Sequence, residues 1–142
     1  MIKNVQSNLC VDFPGVNDPF MLQFECHGGD NQRFHQVAVE GGFALQLVGS
    51  ELCLDALLPE LSAAMPCTGG AHQTFQWSGQ TLVVAQTNSC LTVQWGSIDP
   101  RTRIVSEPCD GTASQQFVTA SRPLDGPEPE PIVAVVGRIT AA

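Results

Sequence analysis

Six cysteines carry the most chemistry in this chain, and their spacing decides what that chemistry is. They fall into three pairs, Cys10 and Cys26, Cys53 and Cys67, Cys90 and Cys109. Six residues past each second member begins Gln-x-Phe: Gln32-Arg33-Phe34, Gln73-Thr74-Phe75 and Gln115-Gln116-Phe117. Several pairings are possible in principle, but the repetition selects Cys10–Cys26, Cys53–Cys67 and Cys90–Cys109. Each bridge closes a loop of about 15 to 20 residues, worth roughly 3 kcal/mol. Such bridges persist in oxidising compartments, so a secreted, extracellular chain is expected, with six reduced core thiols as the alternative. No Cys-x-x-Cys pair occurs, so neither a metal site nor a cofactor is expected.

The remaining reactive side chains point away from catalysis. Asp12 and Asp55 belong to different repeats, which should hold them beyond the roughly 5–10 Å that glycoside hydrolysis needs. His27, His35 and His72 have no Ser or Cys partner in the pattern, and there is no Gly-rich phosphate loop or His-x-x-x-His helix. The six Lys and Arg residues are scattered singly in a chain of formal charge −8. Without a basic stripe to neutralise phosphates, nucleic acid and anionic membrane are poor partners. Neutral ligands remain open.

The elements that must position these groups follow from the same period. The Cys and Gln-x-Phe positions recur at about 40 residues, so one unit is written three times. The repeats run over about 1–40, 41–79 and 80–121. No segment shows helical periodicity. Short runs such as Phe43-Ala44-Leu45-Gln46-Leu47 and Leu82-Val83-Val84-Ala85 alternate with turn signals such as Pro14-Gly15, Gly28-Gly29 and Gly69-Gly70. That is an all-β pattern. Four strands per repeat, near Ile2–Val5, Asn8–Phe13, Phe20–Glu25 and Gln32–Val37 in the first, give twelve strands with pseudo-threefold symmetry. Barrel closure would leave no unpaired edge.

Residues 122–142 differ in kind. An acidic Pro-rich linker, Pro123 to Pro131, precedes a β-prone tail, Ile132 to Ile139, too short to span a membrane. Docking on the barrel or homodimer formation through this tail is expected, since an exposed apolar strand invites aggregation. Met1-Ile2-Lys3-Asn4 lacks the apolar stretch of a secretory signal. A leader is therefore expected to have been removed, or the chain to have been excised from a larger protein.

The residues now carry a family resemblance. Cys10-Val11-Asp12, the run Cys26-His27-Gly28-Gly29-Asp30-Asn31-Gln32-Arg33-Phe34 and the three Gln-x-Phe signatures resemble the ricin-type lectins, whose signature is usually Gln-x-Trp. The resemblance covers about residues 2–120. It implies a β-trefoil with one disulfide per repeat: a short six-stranded barrel capped by three hairpins. Phe34, Phe75 and Phe117 are then expected to meet near the threefold axis, with the glutamines bonding turn backbone.

It also implies a non-catalytic carbohydrate-binding module. A carboxylate accepts sugar hydroxyls, an amide both donates and accepts, and an aromatic ring covers the apolar C–H face. In the first repeat, Asp12, Asn31 and Phe24 match those three positions, with His27 on the rim, Gln32 beside them, and Gly28-Gly29 letting the loop approach the ligand. The second repeat offers a weaker site of Asp55, Met65 and His72. The third has Thr92, Glu107 and Ser114 instead and should be silent, with Trp95 expected as a half-buried loop anchor, a different binding surface being the alternative, and Trp77 a packing residue. The implied partners are glycans of the galactose or N-acetylgalactosamine type, with xylan-type sugars second, and a fused or associated catalytic or toxin module. The rival readings are a trefoil for protein recognition with vestigial sugar sites, and a structural spacer.

Overall fold

The computed structural model describes residues 1–58 and 61–120. The expectations for the linker, the tail and a tail-mediated homodimer lie outside the described residues. Among the described residues, twelve strands follow one another in chain order, four to each repeat. The first repeat holds β1 (Ile2–Asn4), β2 (Cys10–Asp12), β3 (Leu22–Phe24) and β4 (Phe34–Val39). The second holds β5 (Gly42–Leu47), β6 (Leu52–Leu58), β7 (Leu61–Pro66) and β8 (Phe75–Ser78), and the third β9 (Thr81–Val84), β10 (Cys90–Val93), β11 (Ile104–Glu107) and β12 (Phe117–Thr119). The fourth strand of repeat one starts two residues later than expected. Asp30–Gln32 is a 3-10 turn that ends on the signature glutamine, and Ala71–Gln73 and Ala113–Gln115 do the same in the other repeats.

The pairing follows two rules. The second and third strands of every repeat form a hairpin: β2 with β3, β6 with β7, β10 with β11. The first and fourth strands pair between repeats, β4 with β5, β8 with β9, and β12 with β1, so the last described strand closes on the first. Met1 and Ala120 exchange bonds of 2.9 and 2.8 Å at that seam. This is the β-trefoil, six barrel strands and three capping hairpins. The three disulfides join the expected partners, with Cα–Cα distances of 5.2, 5.0 and 5.1 Å.

Met21, Ser62 and Ile104 hold the same place in the three caps and are fully buried where the caps meet. Met21 N–H donates to the Ser62 carbonyl at 2.8 Å and Ile104 N–H to the Met21 carbonyl at 3.1 Å. The Ser62 hydroxyl donates to the Ile104 carbonyl at 2.7 Å. The ring of bonds is cyclic, which is how three short hairpins fix one another without a shared strand ladder.

The core beneath is aliphatic and phenylalanine-rich, built on residues such as Leu45, Leu54, Leu82, Leu91 and Ile104 with Phe75 and Phe117. Here one expectation is corrected. Phe75 and Phe117 are fully buried, but Phe34 is only half-buried at the core's edge. Strand β8 is flanked by β5 and β9, and Phe117 N–H is bonded to the Gln80 carbonyl beside β12. Among the described residues, strand β4 pairs with β5 alone, and it is exposed along most of its length. Truncating Phe75 or Phe117 to Ala should therefore cost about 3–5 kcal/mol in urea unfolding with the disulfides intact, and Phe34→Ala about half that or less. Equal costs at the three positions would contradict the asymmetry.

Candidate functional site

The strand register places the same residue of every repeat opposite the first cysteine: Phe24 across from Cys10, Met65 from Cys53, Glu107 from Cys90. The residue two past that cysteine, Asp12, Asp55 or Thr92, is buried at the end of the hairpin's first arm or within it. The signature glutamine reaches it from the 3-10 turn. In the first repeat Gln32 Nε2 donates to Asp12 Oδ2 at 2.8 Å and to the Glu25 carbonyl at 2.8 Å, while its Oε1 accepts from His27 N–H at 2.9 Å. Gln32 is fully buried with its polar atoms engaged. It holds the site together from behind and does not present a surface to a ligand, which revises its place among the contact residues.

Asp12, Phe24, His27 and Asn31 come together in one open cleft of about 230 Å³, joined there by Pro14, Leu22 and Arg101. Asn31 Nδ2 donates to Asp12 Oδ1 at 3.2 Å and to the Phe13 carbonyl at 3.1 Å, which leaves its Oδ1 as the free acceptor. His27 Nε2 lies 3.6 Å from Asp12 Oδ2. Its Nδ1 accepts from Gly29 N–H at 3.0 Å, so the neutral ring carries its proton on Nε2, facing the carboxylate. A Cβ at Gly29 would stand 2.9 Å from Asn31 Oδ1 and from the His27 ring. The clearance expected to admit a ligand thus serves the site's own side chains.

Phe24 is half-buried, with His27 edge-on at a ring separation of 6.4 Å. Above its face sits a residue that local pattern did not point to. Arg101, from the third repeat, holds its guanidinium carbon 5.2 Å from the ring centroid.

The second repeat reproduces the carboxylate geometry with different chemistry. Gln73 Nε2 donates to Asp55 Oδ2 at 2.9 Å, and His72 Nδ1 lies 2.8 Å from Asp55 Oδ1, where Asn31 stands in the first repeat. Met65, at the stacking position, is exposed. In the third repeat Gln115 donates to Thr92 Oγ1 at 3.2 Å, and the Thr92 hydroxyl donates onward to the Cys90 carbonyl at 2.9 Å. That position is turned inward and satisfied. Trp95 overturns its expectation: it is 84% exposed, with φ of 60°, and anchors no loop. Trp77 packs against the core as expected, its Nε1–H donating to Gln36 Oε1 at 2.8 Å.

Burial raises the Asp12 carboxyl above its ordinary value of 3.8, against the opposing pull of Gln32, His27 and Asn31. The folded state then keeps the proton at a pH where the unfolded chain has lost it. Stability from this group is complete below the unfolded carboxyl range and declines as pH rises through the folded value. The unfolding free energy of wild type minus that of Asp12→Asn should fall as pH rises from below the carboxyl's ordinary value of 3.8 through its raised folded value. A difference that climbed with pH would show the carboxylate to be net stabilised instead.

The family model described as the ricin-type beta-trefoil lectin domain matches residues 1–117. No curated protein matches. Among solved structures, the designed threefold-symmetric protein ThreeFoil is similar, with a TM-score of 0.75 at 21% identity over 82% of this chain and 93% of its own. The C-half of the earthworm R-type lectin, solved with GalNAc, gives 0.68 at 17% over 82% and 93%. The ricin B-like lectin of Macrolepiota procera, solved with lactose, gives 0.70 at 17% over 82% and 89%. At these identities the likeness speaks to the fold.

Proposed function

The chain belongs to the ricin-type β-trefoil lectin family, and from that premise we propose that it is a non-catalytic glycan-binding module acting through the first repeat. The observation that carries the reading is the convergence of a buried carboxylate, an amide oxygen and an aromatic ring on one open cleft. Asp12 has about four lone-pair sites and spends one on each of Asn31 and Gln32, so acceptor capacity remains for a sugar hydroxyl. Asn31 Oδ1 accepts a second hydroxyl, Phe24 lies beside the C–H face, and His27 lines the rim with its Nε2–H turned toward Asp12. Galactose or N-acetylgalactosamine is the ligand class the resemblance favours, with xylan-type sugars second, and the family members crystallised with GalNAc and lactose support it. Asp55, Met65 and His72 form the weaker second site. We place the module outside the cell, where its three disulfides are at home, either free or delivering an attached catalytic or toxin unit to a glycan.

A shallow single site should bind in the millimolar to tens-of-micromolar range, roughly −4 to −6 kcal/mol, so useful avidity needs several sites or copies. Asp12→Ala removes hydrogen bonds to a charged group worth about 1.5–3 kcal/mol and should weaken glycan-array or calorimetric binding about 10-fold to 150-fold. Asp55→Ala should have a smaller effect. Undiminished binding in Asp12→Ala would move the site elsewhere. The protein-recognition reading has one observation in its favour, the exposed apolar pair Trp95 and Ile98 on the third-repeat loop. An array on which wild type binds no glycan would favour that reading over the lectin.

A further inference from the structure

We propose that Arg101, supplied by the third repeat, determines the specificity of the first-repeat cleft and selects glycans that carry a carboxylate next to the bound hydroxyls. This rests on the lectin reading of that cleft and narrows its ligand class. Arg101 lies far along the chain from Asp12, Phe24 and Asn31, yet it shares their cleft, with its guanidinium 5.2 Å over the Phe24 ring. Among the described residues it belongs to none of the ion pairs, which are His27–Asp12, Arg33–Asp30 and His72–Asp55.

The placement is built, because Gln23, the residue before Phe24, grips the third-repeat loop at several points. Gln23 Nε2 donates to the Ser97 and Asp99 carbonyls at 3.1 and 2.8 Å, and its side chain is fully buried. Arg101 N–H donates to the Gln23 carbonyl at 2.7 Å, and Gln23 N–H to the Thr102 carbonyl at 2.9 Å. Thr102 Oγ1 closes the turn on the Asp99 carbonyl at 2.8 Å. These bonds hold Arg101 at φ 70°, a left-handed conformation that a non-glycine residue keeps only where its surroundings over-determine it. Residues in that state concentrate at ligand clamps.

The chemistry follows from where the charge sits. A neutral sugar stacking on Phe24 meets the guanidinium on the same face and must displace it. A sugar with a carboxylate can leave the cation–π contact in place and take the planar guanidinium fork bidentately. The repulsion of such an anion by Asp12 is offset in part by the donors around the carboxylate. Asp12 is buried, with Gln32, Asn31 and His27 all directed at its oxygens. Arg101 is exposed and is the charge that an arriving ligand meets first.

Calorimetry on the full chain at physiological ionic strength, with lactose and 3′-sialyllactose as probes, tests this directly. Wild type should prefer sialyllactose by about fivefold, the ratio one partly exposed charge pair gives. Arg101→Ala should abolish that preference and tighten lactose, Arg101→Lys should keep part of it, and Asp12→Ala should weaken both sugars. A wild-type preference for lactose, or a ratio that Arg101→Ala leaves unchanged while binding still depends on Asp12, overturns the role of Arg101 and leaves the lectin reading standing. If wild type binds neither probe nor any glycan on an array, the lectin reading fails and the selectivity falls with it.

Discussion

In every repeat one buried carboxamide ties three pieces of chain into a single unit. The Nε2 of Gln32, Gln73 or Gln115 donates to the carbonyl one residue before the second cysteine, that of Glu25, Pro66 or Pro108. Its Oε1 accepts the N–H of the residue just after that cysteine, His27, Thr68 or Asp110. The same Nε2 also donates to the side chain two past the first cysteine, Asp12, Asp55 or Thr92. The disulfide fastens the two arms covalently, and the amide then sets the angle between them. An apolar residue here would orphan a buried carbonyl and N–H at about 1–3 kcal/mol each. A Glu would bury a charge against Asp12 or Asp55. Only an amide satisfies donors and acceptors together, so the whole arrangement of cap, turn and site depends on it.

That constraint joins the scaffold to the chemistry more closely than a core residue would. The glutamine is a folding residue by burial, yet one of its bonds ends on the atom proposed to meet the ligand. Thr92 shows the consequence: the third repeat keeps the glutamine bond after losing the carboxylate, because the amide still needs an acceptor. His72 shows the converse. It replaces Asn31 and preserves a contact to the carboxylate while changing what faces outward. The frame tolerates any residue that completes the bonding, so its presence shows fold and leaves the binding chemistry to the neighbouring positions.

What could be read from sequence divides along the same line. The bridges, the four strands per repeat and the buried Phe75 and Phe117 were legible because each repeats with a fixed offset from a cysteine. The burial of Phe34 was not, since it depends on whether a neighbouring strand flanks β4, and the repeat unit does not encode that. Nor was the exposure of Trp95 legible, since it lies in the connection between β10 and β11, whose length the repeat does not fix. Asp12, Phe24 and Asn31 were legible through the resemblance and do share a cleft. Arg101 has no counterpart in the repeat pattern, so nothing local could point to it.

The three repeats therefore part company mainly in their connections. Only two positions separate β6 from β7 in the second repeat, whereas residues 94–103 lie between β10 and β11 in the third. The longer connection reaches across to the first repeat and lays two of the chain's six basic residues on its aromatic rings, Arg101 on Phe24 and Arg103 on Phe20, each at 5.2 Å. In a protein of formal charge −8, the cation held on the Phe24 ring changes the potential at the cleft more than the net charge suggests, because exposed charges beyond about 8 Å are largely screened. On the proposed reading, the binding unit is the junction between two repeats: the first would supply acceptors and a ring, and the third the charge that decides what approaches them.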